Sequence, residues 1–105
     1  MKNGSDTEAL VVRIVRLLVD NLDEVRVTPI ATGSGTVFEV SVSQSDVGKV
    51  IGKSGRTARA IRELLTAIGK AARTHYGLDV VMKSESGNGR ILEHNDHIEN
   101  DIRVD

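Results

Sequence analysis

The chain has no cysteine. Disulfides and thiolate-bound zinc are therefore excluded from any account of its stability or chemistry. Aromatic residues are nearly as scarce: Phe38 and Tyr76 are the whole complement, 2% of the sequence. The interior has to be built from valine, isoleucine, leucine and alanine. No uninterrupted apolar run approaches the roughly 18 residues that a membrane-crossing helix needs. The opening MKNGSDTEA is polar and lacks the apolar stretch of a secretory signal. A cytoplasmic protein with no membrane partner is the default expectation.

What is present is ordinary in bulk and uneven in detail. At 105 residues, 39% hydrophobic and 28% charged, the chain suits one globular domain. Its net charge of −1 conceals a separation. Residues 48–75 carry seven basic side chains, Lys49, Lys53, Arg56, Arg59, Arg62, Lys70 and Arg73, against the single acid Glu63, a local balance of +6. Residues 84–105 carry six acids against Arg90 and Arg103, a balance of −4. A basic surface in mid-chain points to an anionic partner that the overall charge would not suggest.

Periodicity gives the elements. Ser5-Asp6-Thr7-Glu8 fits a capping box. Leu10, Ile14, Leu17 and Leu18 then recur at helical spacing, widened by Val11 and Val15, and predict a helix over 6–20. Residues 25–28 alternate and are rich in β-branched side chains, a strand signature, and Pro29 marks an edge or an end. Thr32-Gly33-Ser34-Gly35 is turn chemistry. A second strand follows over 36–43, with Phe38, Val40 and Val42 on one face and Val37, Glu39, Ser41 and Ser43 on the other. Ser45 or Asp46 caps a short helix bearing Val47, Val50 and Ile51. A long helix is predicted over 56–75, with Ile61, Leu64, Leu65, Ile68 and Ala72 as its buried stripe and Gly77 as the left-handed residue beyond its end. Residues 78–83 read as a third strand. The order α-β-β-α-α-β predicts an α+β fold of two layers, a three-stranded sheet packed on three helices. The domain is expected to span 6–83, with 84–105 as a flexible acidic tail.

The stretch GKVIGKSGRT, residues 48–57, carries the chemistry. A glycine-rich, lysine-bearing turn at a helix start is a natural seat for phosphate. Gly52-Lys53-Ser54 matches the last three positions of a nucleotide-binding G-x-x-x-x-G-K-[ST] loop. The first glycine of such a loop would fall at Val47, however, and the preceding segment reads as helix, not strand. Nucleotide hydrolysis is set aside on both counts. A Gly-x-x-Gly turn between two helices suits a nucleic-acid backbone instead. Glycine at each end permits a tight turn and removes side chains that would block approach. The first amides of the next helix add a favourable dipole, and Lys53, Arg56 and Arg59 add charge. Ser54 has no evident base partner, so nucleophilic catalysis is not indicated. No acid–base or metal constellation points to an enzyme, and no cofactor is called for.

Gly48-Lys49-Val50-Ile51-Gly52-Lys53-Ser54-Gly55-Arg56 resembles the I-G-x-x-G hallmark of KH domains, whose GXXG loop clamps about four nucleotides of single strand. The element order looks like the type II KH topology. LVDNLDEVRV, the hairpin, SDVGKVIGKSGRTARAIR and LDVVM are together similar to the small bacterial single-KH RNA-binding proteins, the KhpA family, over residues 8–83. The resemblance implies that Gly52, Lys53, Ser54 and Gly55 clamp single-stranded RNA. It implies an apolar wall of Val47, Val50 and Ile51, with Ile61 adding to it, and an electrostatic rim of Lys49, Arg56 and Arg59. It also implies pairing, with a second copy or with a larger KH-containing RNA-binding protein, and a role as an RNA chaperone or post-transcriptional regulator linked to the cell envelope and cell shape. KH grooves read bases by hydrogen bonding, so the scarcity of aromatics does not count against RNA. Leu22 stands where family members often carry proline.

Plainer readings stand beside these. Val50 and Ile51 read equally well as core. Arg62, Lys70 and Arg73 read as a solvated helix face. His75 complements the dipole at a helix end. His94 and His97 are three apart but read as part of a solvated tail, not as a metal pair. The tail is either a passive solubiliser or a competitor for the basic surface. The other function class left open is a KH-like protein-interaction module with weak or no RNA affinity.

Overall fold

The structure, a computed structural model, describes residues 4–82 and the strand at 90–93. Helix α1 spans Gly4–Leu18. Thr7, Val11 and Val15 recur every fourth residue and are buried, and Val19 extends the series just past the helix. Such i, i+4 positions share one helix face. Leu17, expected in the buried stripe, is 84% exposed; at 100° per residue it stands about 200° round from Val15. Ser5, expected as a cap, lies within the first turn because the helix already begins at Gly4.

Strands β1 (Arg26–Ala31) and β2 (Gly35–Val42) form an antiparallel hairpin. Thr32 closes it. Its N–H donates to the Gly35 carbonyl over 2.9 Å, and its Oγ1 accepts from the N–H groups of Ser34 and Gly35 at 3.3 and 3.1 Å. Bonded and non-bonded pairs alternate along such a ladder. Counting back from the bonded Thr32 and Gly35, Pro29 and Phe38 form a non-bonded pair. The N–H that proline lacks would have faced the free edge, so Pro29 takes nothing from the ladder.

Helices α2 (Val47–Ile51) and α3 (Arg56–Ala72) make the crossover to β3 (His75–Met82). β3 pairs in parallel with β2, from Gly35–His75 to Val42–Met82. No tight turn can join a parallel pair, so a crossover of this kind is required. Helix α3 ends earlier than expected. Arg73, at φ 62° and ψ 45°, takes the left-handed position assigned to Gly77, and the Thr74 N–H donates to the Gly69 carbonyl over 2.8 Å. Gly77 lies inside β3, and His75 opens that strand instead of closing the helix.

Three helices and three strands thus follow the expected α-β-β-α-α-β order, an α+β arrangement of the type II KH kind. The sheet also gains β4 (Arg90–Glu93), antiparallel on the far side of β3, giving the order β1-β2-β3-β4. Sequence periodicity gave no sign of β4. The rest of the acidic segment, including His94 and His97, lies outside the described residues.

Helix α1 packs on β1 and β2, and α2 and α3 pack on β3. Phe38, Val40, Val42, Leu78 and Val80 from the sheet form one cluster with Val11, Val15, Val50, Ala58, Ile61 and Leu65 from the helices. The two aromatic rings of the chain meet there edge-on, with centroids 5.4 Å apart at 61°, an arrangement that adds about 0.5–1.5 kcal/mol to simple burial. Leu65 is 1% exposed, whereas Leu64, expected beside it in the stripe, is 45% exposed. Among the described residues no helix is long and apolar enough to cross a membrane.

Candidate nucleic-acid interface

Helix α2 stops at Gly52, whose N–H still donates to the Gly48 carbonyl over 2.8 Å. Gly52 then adopts φ 81° and ψ 168°, a region that side chains disfavour strongly. A Cβ at this position would overlap the Thr57 hydroxyl and sit 2.8 Å from the Thr57 nitrogen. The end of α2 and the first turn of α3 approach this closely only because residue 52 has no side chain. Gly55, at φ 74° and ψ 12°, completes the turn and donates its N–H to the Gly52 carbonyl over 3.0 Å. Between them Ser54 sits at φ 56° and ψ 26°, a left-handed conformation unusual for serine. Lys53 and Ser54 are both exposed at the tip.

Arg56 and Arg59 lie on the first turn of α3 and are also exposed. Among the described residues, Lys53, Arg56 and Arg59 form no ion pair. Their charge is available to an anion at the turn, next to the positive end of a helix of 17 residues.

Lys49, assigned to the same rim, is placed differently. Its Nζ lies 3.2 Å from Asp46 Oδ1 and 3.4 Å from Asp20 Oδ2. Hydrogen bonding to Asp46 and attraction to Asp20 hold the ammonium above its ordinary pKa, against some desolvation. Two carboxylates already balance this charge. The rim expected from sequence therefore reduces to Arg56 and Arg59, with Lys53 exposed beside them in the turn.

Asp46 is the residue whose role sequence reasoning missed. Its side chain makes no capping bond to α2. It is fully buried and reaches back to the turn after α1. Oδ2 accepts the Asn21 N–H at 2.9 Å and Asn21 Nδ2 at 3.0 Å, and Oδ1 accepts the Asp20 N–H at 3.2 Å and Lys49 Nζ at 3.2 Å. The backbone bond from Asn21 is the chief cause lowering its pKa from 3.8 to about 2, against an opposing desolvation. The only local signal was a polar residue before an apolar run, which reads as a helix cap. A partner 25 positions away has no signature in the sequence.

The apolar wall is also smaller than expected. Val50 is 0% and Ile61 5% exposed. Both belong to the core, so the assignment of Val50 to base contact is corrected: the five-residue helix α2 is anchored by the burial of Val50. Val47 and Ile51 are half-buried and keep accessible surface at the foot of the turn. Lys70 and Arg73 are exposed as expected. Arg62 is not simply solvated: it is half-buried, and its Nε donates to the Leu78 carbonyl of β3 at 3.5 Å.

The family described as KhpA/KhpB, KH domain, matches residues 8–80. The chain is 47% identical over 75 residues to the RNA-binding protein KhpA of Treponema pallidum (strain Nichols), covering 70% of this chain and 92% of that protein. It is 43% identical over 81 residues to the RNA-binding protein KhpA of Borreliella burgdorferi, covering 77% and 99%. Against the RNA-binding protein KhpA of Aquifex aeolicus it is 48% identical over 64 residues, covering 61% and 81%. No solved structure gives a significant match. The matched stretch holds the glycine turn and both its helices and stops before β4. The family is one of KH domains, not of enzymes. On the match to its profile and on these identities, this chain belongs to the KhpA/KhpB family of KH domains.

Proposed function

We propose that this chain binds single-stranded RNA at the Gly52-Lys53-Ser54-Gly55 turn. The observation that carries this reading is the turn itself: a tight, glycine-framed backbone with Lys53, Arg56 and Arg59 exposed around it and unpaired among the described residues. The names of the KhpA relatives support it. The backbone clamp consists of Gly52, Lys53, Ser54 and Gly55. Val47 and Ile51 supply the apolar contact, and Arg56 and Arg59 the rim. Family likeness extends the reading to an RNA chaperone or post-transcriptional regulator in the cytoplasm. On that extension the chain acts with a second copy or a larger KH-containing RNA-binding protein and is linked to the cell envelope and cell shape.

The test is fluorescence anisotropy with a labelled single-stranded RNA over a range of salt. It compares the native chain with a Lys53→Asp, Ser54→Asp variant whose folding is checked by circular dichroism. Native binding is expected to weaken with salt, with a log–log slope of about −2 for three phosphate contacts, and to be lost in the variant. Equal binding by both chains would move RNA to another surface and overturn the reading.

A second reading, a protein-interaction module, is favoured by one observation. Ala60, Leu64, Ala67 and Ala71 are all exposed and share the outer face of α3. Association that survives high salt, without RNA affinity, would favour it. The same face is a candidate surface for self-association.

A further inference from the structure

Helix α3 carries cations beyond the turn. Residues three and four apart on a helix fall on one face. Arg59, Glu63, Thr66 and Lys70 are spaced four, three and four apart, and all are exposed. At 100° per residue the four lie within about 60° of one another, with Arg56 on their border. Ala58, Ile61, Leu65 and Gly69, which are buried, lie on another side of the helix. Ala60, Leu64, Ala67 and Ala71 form a separate stripe, so this strip is distinct from the surface considered for self-association. Arg73 caps the helix just past Lys70 and is exposed as well. The strip starts at the glycine turn and runs about 21 Å from Arg56 to Lys70, at 1.5 Å per residue.

Among the described residues, Arg56, Arg59, Lys70 and Arg73 form no ion pair, and neither does Glu63. A merely solvated helix face more often alternates its charges and pairs them four apart. Here four cations stand against one acid, and Arg59 and Glu63 are not joined. Lys70 and Arg73 also complement the negative end of the helix. That accounts for a cation there, but not for the backbone of Arg73. Ser54 and Arg73 are the two non-glycine residues with positive φ among the described residues. One sits at the tip of the turn and the other at the far end of the strip. Arginine is strained in a conformation that glycine adopts freely, and such strain collects at binding sites.

We infer that the strip from Arg56 through Arg59, Thr66 and Lys70 to Arg73 is a second binding segment for the phosphate backbone of single-stranded RNA, continuing the path that begins at the glycine turn. The inference rests on the RNA reading given above. Arg59 and Lys70 hold successive parts of the backbone by charge, and the Thr66 hydroxyl donates between them. Arg73 offers a planar fork of donors to a phosphate. Glu63, the one acid of the strip, limits the affinity. A KH turn alone takes about four nucleotides; with the strip the footprint is longer.

The test is fluorescence anisotropy on the full chain with two labelled oligouridylates, one of about four nucleotides and one about three times as long. The native chain should bind the longer one more tightly and with a steeper salt dependence. The expected log–log slope is about −3.5 for five phosphate contacts, against about −2 for the three at the turn. A Lys70→Gln, Arg73→Gln variant, its folding checked by circular dichroism, should bind the longer RNA about ten-fold more weakly at low salt and return its slope to about −2. Its binding of the short RNA should be unchanged. Glu63→Gln should tighten the longer RNA alone. Asp23→Asn, the same change of charge at an exposed position off the strip, should not. A native chain that binds both lengths alike, or strip variants that shift both lengths equally, would overturn the inference and leave the turn as the whole site. So would a Lys70→Gln, Arg73→Gln variant that keeps the length dependence but sediments differently without RNA, since the strip would then contact protein. If no RNA binds, or if the short RNA still binds Lys53→Asp, Ser54→Asp, the RNA reading itself fails and takes the strip with it.

Discussion

Asp46 Oδ2 accepts two hydrogen bonds from one residue, the backbone N–H of Asn21 at 2.9 Å and its Nδ2 at 3.0 Å. The contact joins the turn after α1 to the foot of α2. A helix of five residues cannot hold its own position, since an isolated turn is unfavourable in water. The direction in which α2 delivers the chain to Gly52 therefore depends on this carboxylate and on the burial of Val50.

Replacing Asp46 by alanine should lower Tm by several degrees in thermal melts followed by circular dichroism. The change strands the N–H groups of Asp20 and Asn21 and leaves Lys49 facing Asp20 alone. Part-buried donors left without partners carry a cost. The same substitution at exposed Asp23 should leave Tm nearly unchanged. Equal losses at the two sites would refute a structural role for the Asp46 contacts.

Asp46 also sets a pH dependence. A carboxyl whose pKa is lower in the folded than in the unfolded chain contributes stability that is complete above the unfolded value and lost as pH falls through the folded one. With the pKa lowered from 3.8 to about 2, this contribution should fade between about pH 4 and pH 2. Lys49, whose pKa is raised above 10.5, contributes in the opposite sense: fully below that value, with loss as pH climbs past it. Tm measured against pH should show the acid limb in the native chain and a flatter one in Asp46→Asn. Parallel curves would contradict the assignment.

Two glycines four positions apart should respond with opposite sign. Gly52→Ala places a methyl against Thr57 at a positive φ and should cost about 1–3 kcal/mol, with loss of RNA affinity. Gly48 lies within α2, and a methyl there would meet nothing within 4 Å. Gly48→Ala should therefore gain about 0.5–1 kcal/mol from helix propensity. Urea unfolding curves measure both.

Adjacent leucines on α3 give a similar contrast. Leu65→Ala removes a side chain that is 1% exposed and should cost about 2–5 kcal/mol. Leu64→Ala, at a position 45% exposed, should cost less than about 1 kcal/mol. Similar losses would mean that Leu64 is covered in solution, as the self-association surface on α3 would require.

Much of this was legible before the structure. The alternation of Phe38, Val40 and Val42, the helical spacing of Ile61 and Leu65, and the Gly52–Gly55 pair lie within short windows where one physical rule dominates. Failures came where a rule had competitors. Leu17 is apolar and falls near the helical period, but packing selected Val11 and Val15. Arg73 took a left-handed conformation for which Gly77 was the better candidate on propensity, because the chain had to enter β3 sooner. Lys49 resembles its basic neighbours in sequence and differs only through Asp20 and Asp46. At the site, the turn and its two arginines were readable, whereas the carboxylate that positions α2 was not.

The parallel pairing of β2 with β3 has a consequence for synthesis on the ribosome. The hairpin, α1 and the glycine turn all emerge before the strand that completes the middle of the sheet. Until Leu78 and Val80 have been made, Ala58, Ile61 and Leu65 have no sheet partner on β3 to pack against. Long-range pairings of this kind form late, and domains fold as units during elongation. The turn should therefore become a fixed surface only as translation of the domain ends, in the same step that closes the core.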